Sequence, residues 1–241
     1  MNNWKKFVPN FLKRILKNHF GQRLFGEYCY SQEGEDFVLG RIFDRQSSGF
    51  YVDVGCHHPF RFSNTYAFYA RSWRGICIDP LPGVALLFKQ HRPRDIVLQM
   101  GVAEVESRLS YHLFNEPALN TFDPEIAARR GNELGCRQIA TQFVDCKPLG
   151  DILATHLPKD VTSIDFFSID VEGLDLEVLR SNDWARFRPK VIVAECLGLT
   201  LQQVGSDPVS QYLNHIGYIP YAKLFHSVIY LDVSEGHNKP K

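Results

Sequence analysis

The sequence predicts one doubly wound α/β domain, preceded by a short helix. Two observations carry this prediction. The chain has 241 residues, 44% of them hydrophobic, which is enough to bury a large core. From about residue 50 onward, short apolar runs typical of strands alternate with helical stretches, as in a parallel sheet covered on both faces.

Three apolar runs in the first half of the domain predict buried strands. They cover 50–54, 75–78 and 95–99, and each ends at a polar residue or at a Gly or Pro signal. Helical stretches at 64–71 and 84–91 separate them. Strand–helix–strand units place their strands side by side and parallel. The three strands therefore form the first half of the sheet, and the two helices connect them.

The middle of the chain has a weaker pattern. Residues 108–114 alternate between apolar and polar, which predicts a strand at the end of the sheet. Residues 115–140 are rich in Asn, Pro, Arg and Gly and have no clear period, which predicts a long loop. It is either a disordered insertion or a substrate-binding cap. The polar cap candidates are Asn115, Glu116, Asn120 and Thr121.

The last third of the chain returns to regular patterns. It contains predicted strands at 164–169 and 191–194, helices at 174–180 and 208–215, and a closing antiparallel pair at 218–223 and 226–232. No internal repeat or low-complexity tract interrupts these segments. We therefore expect one domain over residues 27–241.

Residues 1–26 differ from the rest, with six basic residues, no acidic ones, and apolar residues at helical spacing. They predict a basic amphipathic helix. It either packs on its own domain or on a second copy, or it lies on an anionic membrane surface. The first interpretation is favoured because most amphipathic helices in globular proteins cover a core.

Charge and cysteine content exclude several classes of function. The net charge is zero, with 21 basic and 27 acidic residues after residue 26, which disfavours nucleic-acid binding. The six cysteines form no CxxC pair and no zinc-site spacing, which indicates a reducing compartment. No apolar run reaches the length of a membrane span. We expect a cytoplasmic protein that could contact the inner face of the membrane through 1–26.

Acidic residues follow four of the five predicted parallel strands. Asp53 ends the first strand and Asp79 the second, Asp170 and Glu172 follow the fourth, and Glu195 follows the fifth. Ligands bind beyond the carboxyl ends of the strands in this kind of sheet. Crowded carboxylates are costly without a partner, so their common position predicts a ligand site.

The turn after the first strand narrows the choice of ligand. It contains one glycine, Gly55, followed by Cys-His-His-Pro instead of the glycine-rich turn that a dinucleotide pyrophosphate needs. Asp79 lies 26 residues after Asp53, near the usual place of a ribose-binding acid. A ribose without a pyrophosphate indicates S-adenosylmethionine and hence a methyltransferase. The alternatives are an NAD-dependent sugar oxidoreductase or epimerase and a non-catalytic docking domain.

Five ordered motifs resemble those of the FkbM-type methyltransferases. They are YSQEGEDFVLGRIF, GFYVDVGCHHPFRFSNTYAFY, GICIDP, NEPALNTF and FFSIDVEGLDLEVL. The resemblance covers roughly residues 28–231. It implies a Rossmann-like, mostly parallel seven-stranded sheet with an antiparallel last strand. It also implies S-adenosylmethionine as cofactor and O-methylation of a sugar, a glycan or another small natural product.

The resemblance also implies roles for individual residues. Asp53 and Gly55 would lie under the methionine part of the cofactor and Asp79 would bind its ribose. Gly101 and Val102 would flank the adenine. Asp170 and Glu172 would face the transferred methyl group, and Gln32 and Glu33 would belong to a lid near the cofactor amino group.

Methylation of a hydroxyl requires a base that takes its proton. The candidates are Glu172, His58 and Asp170, with Glu172 slightly preferred. Each has an alternative: Glu172 could only stabilise a helix start, His58 could hold its turn, and Asp170 could only orient the cofactor.

Further polar residues after the first strand are candidate cofactor contacts. His57 is either structural or a cofactor ligand, and Asn64 and Thr65 either contact the cofactor or cap the following helix. Magnesium would suit the oxygens of Asp170, Glu172 or Glu195, but no residue spacing demands a metal, and none is predicted.

Overall fold

A computed structural model describes residues 28–234 and shows an α/β domain. Its strands are β1 (Phe50–Val54), β2 (Arg74–Ile78), β3 (Ile96–Leu98), β4 (Gly101–Val102), β5 (Ser107–Phe114), β6 (Gln138–Lys147), β7 (Phe166–Ile169), β8 (Val191–Glu195), β9 (Tyr218–Lys223) and β10 (Ser227–Asp232). Its α-helices are α1 (Glu35–Ile42), α2 (Tyr66–Tyr69), α3 (Val84–His91), α4 (Pro124–Arg130), α5 (Leu149–His156), α6 (Asp175–Arg180) and α7 (Pro208–His215).

Seven strands form the main sheet in the order β3-β2-β1-β7-β8-β10-β9. The neighbours from β3 to β8 are parallel, whereas β10 runs antiparallel to both β8 and β9. This arrangement confirms the Rossmann-like fold, with its seven strands and antiparallel last strand. The strand order reverses between β1 and β7, and parallel sheets bind ligands at such a point.

Hydrophobic cores cover both faces of the main sheet. Alternate residues of a strand point to opposite faces, so Val52 packs with α5, α6 and α7 while Tyr51 packs with α1, α2 and α3. All five residues of β1 are buried. The central strands are therefore sandwiched between two helical layers, which confirms the predicted doubly wound arrangement.

A separate three-stranded sheet contains β4, β6 and β5, in that order. The strand predicted at 108–114 is present, but its predicted place at the end of the main sheet is wrong. It pairs antiparallel with β6 over eight residues. The sequence analysis missed β6, because five of its ten residues are polar or charged and most are exposed, so no apolar run marks the strand.

The prediction of one long loop over 115–140 is wrong. The segment contains a 3-10 turn at Pro117–Leu119, helix α4 and the beginning of β6. Helix α4 begins with a strong local signal, because Asp123 accepts hydrogen bonds from the N–H groups of Glu125 and Ile126. The segment is thus an ordered cap attached to the second sheet.

The other predicted elements differ less from those in the structure. The helix predicted at 64–71 is the four-residue α2, and α5 was not predicted. The basic helix predicted at 1–26 lies outside the described residues. Among residues 28–234, no helix is both long and apolar enough to cross a bilayer.

Candidate functional site

A cleft opens at the carboxyl ends of β1, β2 and β7, where the strand order reverses. It encloses about 620 Å³, including space open to solvent. Seven of the residues that the sequence analysis selected line it: Gln32, Gly55, His57, Asp79, Asn120, Asp170 and Glu172. Residues that are far apart in sequence therefore meet at one edge of the sheet.

Asp79 is buried at the base of this cleft and holds the turn after β1. Its Oδ2 accepts the backbone N–H of His57 at 2.7 Å, and its Oδ1 accepts that of Leu81 at 2.7 Å. Burial raises the pKa of Asp79 to about 6, and the nearby charge of Asp53 acts in the same direction. Both oxygens keep further acceptor capacity for a ligand.

Gly55 brings two strand ends into contact. Its φ is +84°, and a Cβ at this position would lie 1.7 Å from the backbone oxygen of Asp170. Only glycine tolerates both the backbone conformation and this approach. The single glycine in the turn thus joins the ends of β1 and β7.

Asp53, Asn64 and Thr65 lie beneath the cleft and are not among its lining residues. The Thr65 hydroxyl donates to Asp53 Oδ2 at 2.6 Å, and Asn64 Nδ2 donates to Ser168 Oγ at 3.0 Å. Burial raises the pKa of Asp53. These contacts tie the segment after β1 to the sheet, so direct cofactor contact by these residues stays a prediction.

The prediction that Asn64 or Thr65 caps the following helix is wrong. Thr65 stands at the N-cap of α2, but its side chain makes no capping hydrogen bond. Ser63 Oγ accepts the N–H of Tyr66 at 3.1 Å instead. The Thr65 hydroxyl instead donates to the buried Asp53 carboxylate and accepts a hydrogen bond from Arg92.

The two histidines after Gly55 have different surroundings. His57 lines the cleft, and its Nε2 is buried without a hydrogen-bond partner among residues 28–234. His58 is not among the lining residues, and its Nδ1 accepts the N–H groups of Phe60 and Arg61. Partial burial lowers the pKa of His58. His58 therefore holds its turn, and a catalytic role for it stays a prediction.

Gly101 and Val102 line a smaller cavity of about 270 Å³, which shares Gly55 with the main cleft. The other walls are mainly apolar, with Ile78 and Met100 among them. A Cβ on Gly101 would lie 2.4 Å from Cys146 Sγ, so the wall requires glycine. A narrow apolar space of this kind suits a flat heteroaromatic ring.

The two lid candidates before α1 are separated in the structure. Gln32 lines the cleft, but Glu33 is not among the lining residues. Glu33 Oε2 accepts the N–H of His226 at 2.6 Å, between β9 and β10. Glu33 therefore attaches the segment before α1 to the sheet, and its predicted cofactor contact stays untested.

Three carboxylates meet where β7 and β8 end. One oxygen each of Asp170, Glu172 and Glu195 lies within 4.8 Å of the other two. Arg130 of α4 forms an ion pair with Glu172. Burial and the mutual repulsion of these groups raise the pKa of Asp170 well above its usual range and that of Glu195 to about 10.

The sequence analysis missed several cleft residues. Phe62, Tyr111 and Phe122 line the cleft, and Arg130 reaches Glu172 from the cap. The alternating pattern of 108–114 identified the strand that carries Tyr111, but no local signal says that this strand folds over the cleft. The pairing of β5 with β6 brings it there.

One family of known proteins matches the sequence over most of its length. The family described as "Methyltransferase FkbM domain" matches residues 53–220. No curated protein sequence matches the chain significantly.

Two solved structures resemble the chain in fold. A methyltransferase from Geobacter sulfurreducens is 11% identical, with a TM-score of 0.42 over 94% of this chain and 92% of that one. The precorrin-6y C5,15-methyltransferase from Geobacter metallireducens GS-15 is 13% identical, with a TM-score of 0.39 over 82% and 88%.

The cleft fits S-adenosylmethionine. The buried Asp79 carboxylate has the acceptor oxygens that ribose hydroxyls would need, and the apolar cavity beside Gly101 and Val102 has walls that suit an adenine ring. His57, in the cleft wall, has an Nε2 atom with no hydrogen-bond partner among residues 28–234. Since the family match covers more than half of the sequence, the protein belongs to the FkbM methyltransferase family, with S-adenosylmethionine as its cofactor.

Proposed function

We propose that this methyltransferase acts on a hydroxyl group of a sugar, a glycan or another small natural product. The observation that carries the proposal is that Asp170 and Glu172 line the same cleft as Asp79 and Gly55. Hydroxyl methylation needs a base beside the cofactor, since the proton must leave as the new bond forms. The aromatic residues Tyr111 and Phe122 offer flat surfaces against which a sugar ring can pack.

The cofactor supplies an activated methyl group on a sulfonium, and the chain aligns the acceptor with it and removes the proton. Alignment can supply much of the rate enhancement. Asp170 is the better candidate base, because the Glu172 carboxylate is already paired with Arg130, which opposes the rise in pKa that burial causes. Asp170 lines the cleft and forms no ion pair with any of residues 28–234, so its ionised carboxylate is open to the acceptor. This assignment replaces the slight preference for Glu172 drawn from the sequence.

The test measures methyl transfer by the purified full-length protein. Labelled S-adenosylmethionine would be supplied with monosaccharides, oligosaccharides and polyketide alcohols, and with matched amines. Methyl ethers identified by NMR would support the proposal. Transfer only to the amines would contradict it.

A variant separates catalysis from cofactor binding. We expect Asp170→Asn to lower kcat by about 10²- to 10⁴-fold. Its affinity for S-adenosylhomocysteine, measured by calorimetry, should change by less than about tenfold. The exposed Asp145→Asn serves as the control and should match the wild type. An Asp170→Asn enzyme with wild-type kcat would contradict the assignment.

The basic segment at 1–26 supports a second, separate proposal about location. We infer that the protein is cytoplasmic and that this segment attaches it to an anionic membrane surface or to a second copy. Sedimentation with phosphatidylglycerol vesicles, with phosphatidylcholine vesicles as control, tests the first interpretation. Sedimentation equilibrium of the full chain and a 27–241 variant tests the second. The inference would be contradicted if the full chain and the 27–241 variant bound the vesicles equally and had the same oligomeric state.

A further inference from the structure

The three carboxylates of Asp170, Glu172 and Glu195 have the spacing of a metal-binding site. One oxygen of each lies within 4.8 Å of the other two. Magnesium binds oxygen at about 2.0–2.1 Å and larger divalent cations at up to about 2.6 Å. Two ligands of one magnesium ion therefore lie at most about 4.2 Å apart, and two ligands of a larger cation at most about 5 Å apart. The three oxygens lie within the limit for the larger cation, and a small movement of the side chains brings them within the limit for magnesium.

The side chains around these three carboxylates carry too little positive charge to balance them. Arg130 pairs with Glu172. Among residues 28–234, neither Asp170 nor Glu195 accepts a hydrogen bond through its carboxylate or contacts a cationic side chain. Carboxylates that are crowded away from solvent are costly unless a proton or a cation balances them.

A fourth carboxylate next to the cluster supplies an independent observation. Asp175 is only 5% exposed, and its Oδ1 is buried with no hydrogen-bond partner among residues 28–234. The carboxylate lies close enough to the backbone of Gly173 and Glu195 for both to lower its pKa, so it stands between the two segments that carry Glu172 and Glu195. The free oxygen needs a hydrogen-bond donor, and either a proton shared within the cluster or a water ligand of a bound cation supplies one.

We propose that Asp170, Glu172 and Glu195 bind a divalent cation, magnesium or manganese, and that Asp175 accepts a hydrogen bond from one of its water ligands. Hard oxygen ligands suit both ions. An octahedral ion with three protein ligands keeps open positions for water or for an oxygen of the acceptor.

The location of this site in the cleft gives the ion a role in acceptor binding. Asp170 and Glu172 line the cleft, so an oxygen of the acceptor can reach an open position on the ion. A cation bound to Asp170 would keep its carboxylate ionised, as a base must be, and would lower its affinity for the proton. The inference goes beyond the proposed function, which needs no metal.

The experiment measures manganese binding to the full-length protein at neutral pH from the paramagnetic resonance signal of the free ion. We expect one site that magnesium competes for. Glu195→Gln should weaken manganese binding by more than about tenfold, and Asp175→Asn should weaken it by about tenfold. Asp145→Asn is the matched control, since Asp145 is exposed on β6 and should leave the affinity unchanged.

Two results would overturn the cation site: no manganese binding by the wild type, or equal binding by wild type and Glu195→Gln. In either case shared protons balance the cluster. If Glu195→Gln fails to fold, the shorter Glu195→Asp replaces it, and the wild-type Tm with and without manganese gives a second measurement. A measurement of S-adenosylhomocysteine binding in the presence of a chelator distinguishes the two proposals. The cofactor site can bind this ligand even if the cation site does not exist.

Discussion

At the scale of single residues, Asp79 uses both carboxylate oxygens at once. The N–H groups of His57 and Leu81 occupy one lone pair on each oxygen. An asparagine could accept only one of these hydrogen bonds and would turn an N–H group toward the other donor. The acid, and not its amide, is therefore needed to hold the turn.

The pKa of Asp79 predicts how cofactor affinity depends on pH. Burial raises that pKa to about 6, and ribose hydroxyls that donate to the carboxylate favour its ionised form. Binding therefore releases a proton when the pH is below the pKa. We expect the affinity for S-adenosylhomocysteine to fall by up to about tenfold per pH unit below pH 6, and to be constant above pH 7.

Calorimetry between pH 5 and 8 checks this dependence. Asp79→Asn is the control, since it removes the titrating group and should bind weakly with little change over the same range. A wild-type affinity that stays constant through pH 6 would contradict the proposed contact between Asp79 and the ribose.

Two glycines with the same backbone angle allow a controlled test of the turn. Gly55 and Gly83 both have a φ of +84°, but a Cβ on Gly83 would meet no atom within 4 Å. We expect Gly83→Ala to cost about 1–2 kcal/mol of unfolding free energy from the backbone conformation alone. Gly55→Ala adds the clash with the Asp170 backbone and should cost about 1–3 kcal/mol more.

Urea unfolding compares the two glycine variants, and calorimetry follows their cofactor binding. Gly55→Ala should also weaken S-adenosylhomocysteine binding by more than about tenfold, whereas Gly83→Ala should not. Equal stability of the two variants would show that the close approach of the ends of β1 and β7 at Gly55 does not require a glycine.

At the scale of elements, the cap is joined to the sheet through α4. Arg130, at the end of this helix, donates to the backbone oxygen of Leu119 and pairs with Glu172. We expect Arg130→Met to lower the unfolding free energy by about 1–3 kcal/mol, because Glu172 would keep its charge in a half-buried place without a partner.

The exposed Arg129→Met on the same helix is the matched control and should change stability by less than about 0.5 kcal/mol. Thermal and urea unfolding give both values. An Arg130→Met protein as stable as Arg129→Met would show that the ion pair does not hold the cap in place.

The same elements show which part of the fold a local pattern can predict. Strands β1, β2, β7 and β8 are continuous apolar runs, since both of their faces are covered, and the sequence analysis located all four. Strand β6 is mostly exposed, so its residues carry no apolar period, and it was missed. Helix α4 was overlooked inside an apparent loop, although Asp123 and Pro124 form a standard helix start.

At the scale of the whole molecule, a buried arginine connects the turn after β1 to the sheet. Arg92 is fully buried and pairs with Asp95 at 2.8 Å. It also donates to the backbone oxygen of Pro59 and to the hydroxyls of Ser63 and Thr65. One side chain thus joins the sheet edge to the turn that carries His57.

We expect Arg92→Met to cost about 3–5 kcal/mol, because it leaves the buried Asp95 carboxylate without its cation. The exposed pair of Arg108 and Asp145 is the control, and Arg108→Met should change stability by less than about 0.5 kcal/mol. Urea unfolding compares the two variants. A small loss of unfolding free energy in Arg92→Met would show that water or a rearrangement compensates the charge of Asp95.

The sequence by itself determined where the seven strands of the main sheet lie along the chain, the single glycine at the turn and the acidic residues at the strand ends, because periodicity and residue type are local properties. Only the tertiary structure decided that Asp170, Glu172 and Glu195 meet, that Arg130 reaches them from the cap, and that His58 lies away from the cleft wall. These distances depend on how β6 and α4 fold over the sheet. The energies that place such segments arise from contacts between residues far apart in the chain, which no local pattern records.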